Sequence, residues 1–149
     1  MEVKEILDVN LIKSDMKVDS KEEALNVLCQ ELLDNGYISD IEGFKEDVYA
    51  REKEGKTGIG NFIAIPHGKS AHVDNIGVAI GINEKEIPWE SLDDRGVKGI
   101  ILFAVGNDNE DANQHLKLLS LFARKLGNDE VVEELLKSTS PEEVVQAFS

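Results

Sequence analysis

Val97-Lys98-Gly99-Ile100-Ile101-Leu102-Phe103-Ala104-Val105, closed by Gly106, holds six consecutive apolar residues between two glycines. The run is rich in β-branched and aromatic residues and far shorter than the ~20 residues of a membrane-spanning helix, so it reads as a β-strand. A strand this apolar has no polar face to give to water, which means both of its faces are covered. Helices must then lie on each side of the sheet, and the fold class is α/β.

The rest of the chain supplies those layers. Phe62–Ile65 and Ile76–Ile82 are further short apolar runs bounded by turn residues, and Ile87-Pro88-Trp89 reads as an edge segment. Before them, Ser20-Lys21-Glu22-Glu23 has the form of a capping box, followed by Ala24, Leu25, Leu28 and Leu32 at helical spacing until Asn35-Gly36. A second helix starts at Ser39 or Asp40, turns Ile41, Phe44 and Val48 inward, and carries Arg51 in its last turn before Gly55. A third starts between Asp108 and Asp111, with Leu116, Leu119, Phe122, Ala123 and Leu126 on its inner face and His115 in its first turns, and stops at Gly127. Two short helices, Asp129–Lys137 and Pro141–Phe148, follow, the last with Ser140 as cap and proline at its first position.

The chain has 149 residues, which fits one domain over 1–149 able to bury roughly two thirds of its unfolded surface. Its one cysteine, Cys29, excludes an internal disulfide framework and a cysteine-based zinc site, suits a reducing compartment, and reads as a buried, inert thiol on a helix face. The stretch from Met1 to Asp19 has no apolar core of signal-peptide length, and the longest apolar runs are far below the ~20 residues of a membrane span, so the expected location is the cytoplasm, without membrane insertion. A net charge of -14 argues against nucleic acid as the partner. The charge is uneven: Arg51, Lys53, Lys56 and Lys69 against Glu52 and Glu54 leave the segment from Arg51 to His72 at +2 and the remainder at -16. A locally positive window suits a small anionic group, although a charged helix end followed by a loop explains Lys53 and Lys56 equally well.

Inside that window, Gly58-Ile59-Gly60-Asn61-Phe62-Ile63-Ala64-Ile65-Pro66-His67-Gly68-Lys69 brings a histidine off a short strand into a glycine-flanked loop. Pro66 restricts its own φ and pushes Ile65 toward extended geometry, and Gly68 sets no side chain against the ring, so the backbone can come close to a bound group. An imidazole of ordinary pKa is roughly three quarters neutral at pH 7 and keeps one lone pair for attack. A phosphoryl group taken up there brings three acceptor oxygens that need donors, and Arg51, His115 and amides of the glycine loop can supply them. On local sequence alone, His115 is equally well read as a plain helix-start histidine, and His72 as a solvated side chain. There is no Walker A motif, no kinase-type glycine loop and no His-x-x-x-His spacing, so ATP and a metal are not expected, and no cofactor is implied.

Arg51-Glu52 ahead of Thr57-Gly58-Ile59-Gly60, then Ala64-Ile65-Pro66-His67-Gly68-Lys69, then Asn113-Gln114-His115-Leu116 with Leu119 and Ala123-Arg124-Lys125-Leu126, stand in an order that resembles one family. That family is the fructose/mannitol class of enzyme IIA domains of the bacterial phosphoenolpyruvate-dependent sugar phosphotransferase system, and the likeness covers nearly the whole chain. The resemblance implies an α/β sandwich with a mixed central sheet between helices. It implies that His67 is the phosphorylated histidine, that His115 orients the phosphoryl group, that Arg51 stabilises its charge, and that Thr57, Gly58, Gly60 and Gly68 belong to the phosphoryl loop. It implies HPr as phosphoryl donor and a cysteine of a separate IIB component as acceptor, with a membrane IIC component behind it. Phe62 departs from the family, which usually has a small residue there, and is expected to narrow the pocket or alter partner choice. Two other readings stay open: a regulatory, nitrogen-type IIA paralogue that signals by its phosphorylation state, and an interaction module without phosphotransfer.

Overall fold

A computed structural model describes residues 2–149. A short helix α1 (Val3–Ile6) and a single 3-10 turn lead into strand β1 (Ile12–Met16), which is followed by helices α2 (Lys21–Asp34) and α3 (Ile41–Glu52). Three short strands, β2 (Gly58–Gly60), β3 (Ile63–Ala64) and β4 (His67–Lys69), precede the two long ones, β5 (Gly77–Ile87) and β6 (Val97–Val105). Helices α4 (Asn109–Leu126), α5 (Asp129–Leu136) and α6 (Pro141–Ala147) complete the described chain.

The strands form one mixed sheet in the order β1-β5-β6-β3-β2, with β4 also paired to β6. The β5/β6 and β2/β3 pairs are antiparallel, whereas β1/β5, β3/β6 and β4/β6 are parallel. Strand β6 divides its apolar run between two cores. Ile100, Leu102 and Ala104 pack with α2 and α3, while Ile101, Phe103 and Val105 pack with α4, α5 and α6. Each face therefore takes every second residue, and the covering on both sides expected from the sequence is present.

Along one side of β6, β3 and β4 follow each other with a gap between them. Ile63 pairs with Gly99 and His67 with Phe103, and the Ile65-Pro66 step interrupts the ladder. Proline has no N–H to give, and the Ile65 N–H turns instead to the Thr57 carbonyl at 2.9 Å. His67 thus sits at the start of a three-residue strand, not in a loop as expected, and β4 is too short for any periodicity to announce it. Strands β1 and β2 are also absent from the sequence reading, and β5 continues through Glu84-Lys85-Glu86, whose exposed side chains end the apolar run before the strand ends. The edge contact lies beyond Ile87-Pro88-Trp89, where Ser91 bridges Gly58.

Helix boundaries follow their caps. Ser20, Asp108, Asn128 and Ser140 each accept a backbone N–H of the first turn. The inner face of α4 is Leu118, Phe122 and Leu126, with Leu119 partly covered, whereas Leu116 is 66% exposed and Ala123 lies outside. Leu116 and Ala123 are seven residues apart, so they share one stripe about 100° round from the buried one.

Asn61 and Phe62 both have positive φ, 54° and 64°, and join β2 to β3 in the left-handed geometry of a tight two-residue hairpin turn. For an aromatic residue this conformation is strained by about 1 kcal/mol. Phe62→Gly is therefore expected to raise the urea midpoint; a midpoint at or below wild type would mean that the ring's packing near Arg95 outweighs the strain.

Candidate active site

Arg51, His67 and His115 arrive from three elements and meet in one cleft of about 360 Å³, lined also by Asp47, Ala50, Glu54 and Lys69. Strand β4 sets His67 opposite Phe103, on the α4 side of the sheet, so the ring faces His115. The two imidazole centroids are 5.0 Å apart. Behind His115, Phe103, Phe122 and Phe148 form an edge-to-face aromatic column with spacings of 5.5, 5.3 and 5.3 Å. Arg51 comes from the opposite layer, round the open edge of β4.

Gly68 allows that approach. A Cβ at this position would lie 2.7 Å from Phe44 and 2.8 Å from Val48, so α3 occupies the space a side chain would need. The glycine serves the packing of α3 against β4, which carries Arg51 to His67, rather than the approach of a bound group to the backbone. Gly58 has a similar use at the other edge, where a Cβ would meet Ser91 at 2.5 Å. Gly60 ends β2 at φ +94° and, like Phe62, lies outside the cleft lining; Phe62 does not narrow this pocket. Thr57 is 2% exposed, and its hydroxyl is engaged by Glu52 and Trp89 instead of pointing into the cleft.

Two contacts define the state of the His67 ring. The Ile65 carbonyl, which can only accept, lies 3.3 Å from Nδ1, and the Arg51 Nε–H, which can only donate, lies 2.9 Å from Nε2. Both require the same tautomer, with the proton on Nδ1 and a lone pair on Nε2. Burial lowers the His67 pKa, the Ile65 carbonyl works against this, and the Arg51 charge adds to the lowering, so the neutral ring prevails near neutral pH. Arg51 is itself steadied by an Nη1–H donated to the Gly55 carbonyl at 3.3 Å.

His115 is pushed down to about 4 by burial, with His67 and Lys69 adding repulsion, and its buried Nδ1 has no hydrogen-bond partner. It is a neutral ring with one nitrogen enclosed in protein. The unfolded chain binds a proton on this residue near 6.5 and the folded chain only near 4, so stability is intact above 6.5 and falls as pH drops through that window. Urea midpoints from pH 7 to 4 should decline less steeply for His115→Phe than for wild type, and an equal or steeper decline would contradict the assignment.

The positive window of the sequence is divided. Arg51 and Lys69 reach the cleft, where Asp47 and Glu54 oppose them, but Lys56 meets Asp94 at 3.5 Å and Lys53 lines a different groove. His72 lies 4.0 Å from Asp40, away from the cleft. Cys29 is fully buried and burial pushes its thiol up to about 12, which makes it inert. Among the described residues no group of three or more His, Cys, Asp or Glu is placed to hold a metal ion, and no helix is long and apolar enough to cross a membrane. Glu52, quoted in the sequence with Arg51 ahead of Thr57-Gly58-Ile59-Gly60 but given no role there, turns a side chain only 6% exposed inward beside Arg51.

A neutral imidazole with an outward lone pair, an arginine at hydrogen-bond distance and a second neutral imidazole 5.0 Å away can accept a small electrophilic anion in line. The chain is 34% identical over 129 residues to the 2-O-alpha-mannosyl-D-glycerate-specific EIIABC component of Escherichia coli, covering 87% of this chain and 20% of that protein. It is 31% identical over its full length to the fructose-specific EIIABC component of Bacillus subtilis, of which it spans 23%. With the mannitol-specific IIA component of Bacillus subtilis it shares 32% identity, covering 97% of each. Among solved structures, nitrogen regulatory protein IIA-Ntr of Neisseria meningitidis superposes with a TM-score of 0.89 at 29% identity over 99% of both chains. The mannitol IIA of Escherichia coli, in complex with phosphorylated mannitol IIB, gives 0.79 at 25% identity over 95% of this chain and 96% of that one. The family profile described as phosphoenolpyruvate-dependent sugar phosphotransferase system, EIIA 2, matches residues 5–149, and the chain belongs to that family.

Proposed function

We propose that this chain is a phosphohistidine carrier that takes a phosphoryl group from HPr on His67 Nε2 and passes it to a cysteine of a IIB component, for uptake of a sugar of the fructose/mannitol class. The observation that carries the reading is the state of the His67 ring, with Nδ1–H given to Ile65 and Nε2 turned to Arg51 in the cleft. In the forward step the Nε2 lone pair forms the new P–N bond while the donor's P–N bond breaks and returns its electron pair to the donor ring. The Nδ1 proton stays on His67, where the Ile65 carbonyl faces the positive charge the ring acquires. Arg51 moves its Nε–H hydrogen bond from Nε2 to the phosphoryl oxygens, and Lys69 lies on the same cleft. Transfer to the IIB thiolate reverses these changes.

Support for the acceptor comes from the mannitol IIA relative, whose solved complex contains phosphorylated IIB. Incubation with phosphoenolpyruvate, enzyme I and HPr, followed by intact mass and acid treatment, should give one acid-labile phosphate per chain, formed more slowly on His115→Ala. No phosphate on the wild type would overturn the carrier reading and favour an interaction module. The TM-score of 0.89 with IIA-Ntr, above the 0.79 with mannitol IIA, favours a second reading in which the same phosphohistidine signals rather than feeds transport. A phosphorylated chain that discharges to no sugar-specific IIB would support it.

A further inference from the structure

Successive residues of a helix point about 100° apart, so while Arg51 reaches the cleft, Glu52 turns into the layer between α2 and α3. Its side chain is only 6% exposed. Oε1 meets Lys21 Nζ at 2.6 Å and accepts the Thr57 hydroxyl at 2.9 Å, while Oε2 is buried without a partner. The same Thr57 oxygen accepts the Trp89 indole N–H at 2.9 Å. Lys21 also binds Glu90 at 2.8 Å and lies 4.8 Å over the Trp89 ring. A buried carboxylate with an orphan oxygen costs stability that an apolar residue of similar volume would not, so packing alone does not account for it.

The main chain links this network to the nucleophile. The Ile65 N–H donates to the Thr57 carbonyl at 2.9 Å, and the Ile65 carbonyl accepts from His67 Nδ1–H at 3.3 Å. Gly58, the next residue, is held on both sides, its N–H donating to Glu90 and its carbonyl accepting from Leu92, each at 3.0 Å. The Thr57 hydroxyl donates to Glu52 and accepts from Trp89, so the side chain is anchored from two directions.

We propose that Glu52 and Thr57 are positioning residues for His67: the Lys21, Glu52, Thr57 and Trp89 network fixes the Thr57 main chain, through it the Ile65 carbonyl, and thereby holds the imidazole as the Nδ1–H tautomer with Nε2 in the cleft. The consequence for phosphotransfer rests on the carrier reading above, but the tautomer can be measured without it. Nitrogen-15 imidazole spectra near neutral pH should show a dominant Nδ1–H form of His67 in wild type and a shift toward Nε2–H in Thr57→Val, which keeps the shape and removes the hydroxyl. Thr57→Ser should restore the wild-type spectrum. Phosphoryl acceptance by Thr57→Val should fall about tenfold in maximal rate with the apparent KM for phosphorylated HPr unchanged, the size usual for the loss of an orienting partner.

A folded Thr57→Val with the wild-type tautomer ratio overturns the proposal. Should that variant not fold, Glu52→Gln carries the test: loss of the Lys21 pairing must shift the ratio in the same direction, and an unchanged ratio is equally fatal. The two readings fail separately. A wild type that takes no phosphate, yet whose tautomer responds to Thr57→Val, removes the carrier and keeps the positioning network. A phosphorylated wild type with an unresponsive ring does the opposite.

Discussion

His67→Gln is expected to take up no phosphoryl group from phosphorylated HPr under conditions that load the wild type fully. Glutamine keeps a polar side chain able to donate toward the Ile65 carbonyl, so the β4 edge and the Arg51 side of the cleft remain folded, while the amide nitrogen has no lone pair free for attack. The other imidazoles do not replace it. His72 stands outside the cleft beside Asp40, and His115 keeps one nitrogen buried. Intact mass after incubation with phosphoenolpyruvate, enzyme I and HPr reads the outcome directly. An acid-labile phosphate on the variant would move the acceptor to another residue.

Arg51→Gln is expected to slow phosphoryl acceptance by about 10²- to 10³-fold, the loss typical of removing one preorganised donor from a developing anion. It should also displace the acid limb of the rate profile. Arg51 is one of the groups that lower the His67 pKa, so its removal lets that pKa rise and the neutral nucleophile disappears at a higher pH. Arg51→Lys separates the effects. The charge is retained and the acid limb stays in place, but a lysine cannot make the paired contacts of a guanidinium fork, so the rate remains low. Single-turnover rates between pH 5 and 8 test this, and an Arg51→Gln rate within about twofold of wild type would contradict the role given to the guanidinium.

The architecture was legible where side-chain periodicity extends over many residues. The apolar run of β6, the spacing along α2 and the caps at Ser20, Asp108 and Ser140 each carry a physical instruction longer than one turn. Strands β2 and β4 have three residues each, too few for a pattern, and they exist because β3 and β6 offer unpaired edges. On α4, Leu116 matches the apolar face by composition, and only the rotation imposed by Phe103 beneath Phe122 shows that it faces outward. Within the cleft, Arg51, His67 and His115 are chemically conspicuous and were identifiable as separate groups. The purpose of Gly68 was not, because the atoms filling its missing side chain belong to residues twenty and more positions earlier in the chain. Glu52 and Trp89 escaped for the same reason, since their partnership through one hydroxyl is a fact of three dimensions.

The attachment of His67 to β6 bears on how much the protein must reorganise between empty and loaded states. Its neighbours across the ladder, Phe103 to Val105, are almost wholly buried in the sheet, where amide hydrogens are expected to exchange most slowly. An imidazole mounted there is held in place by the sheet. In the carrier reading the adjustment is expected to fall on the Arg51 side chain, whose hydrogen bond to His67 must give way to the phosphoryl group while the backbone of β4 stays paired. In the carrier reading proposed above, exchange is expected to be paced by the arrival and departure of protein partners rather than by a rearrangement of the chain.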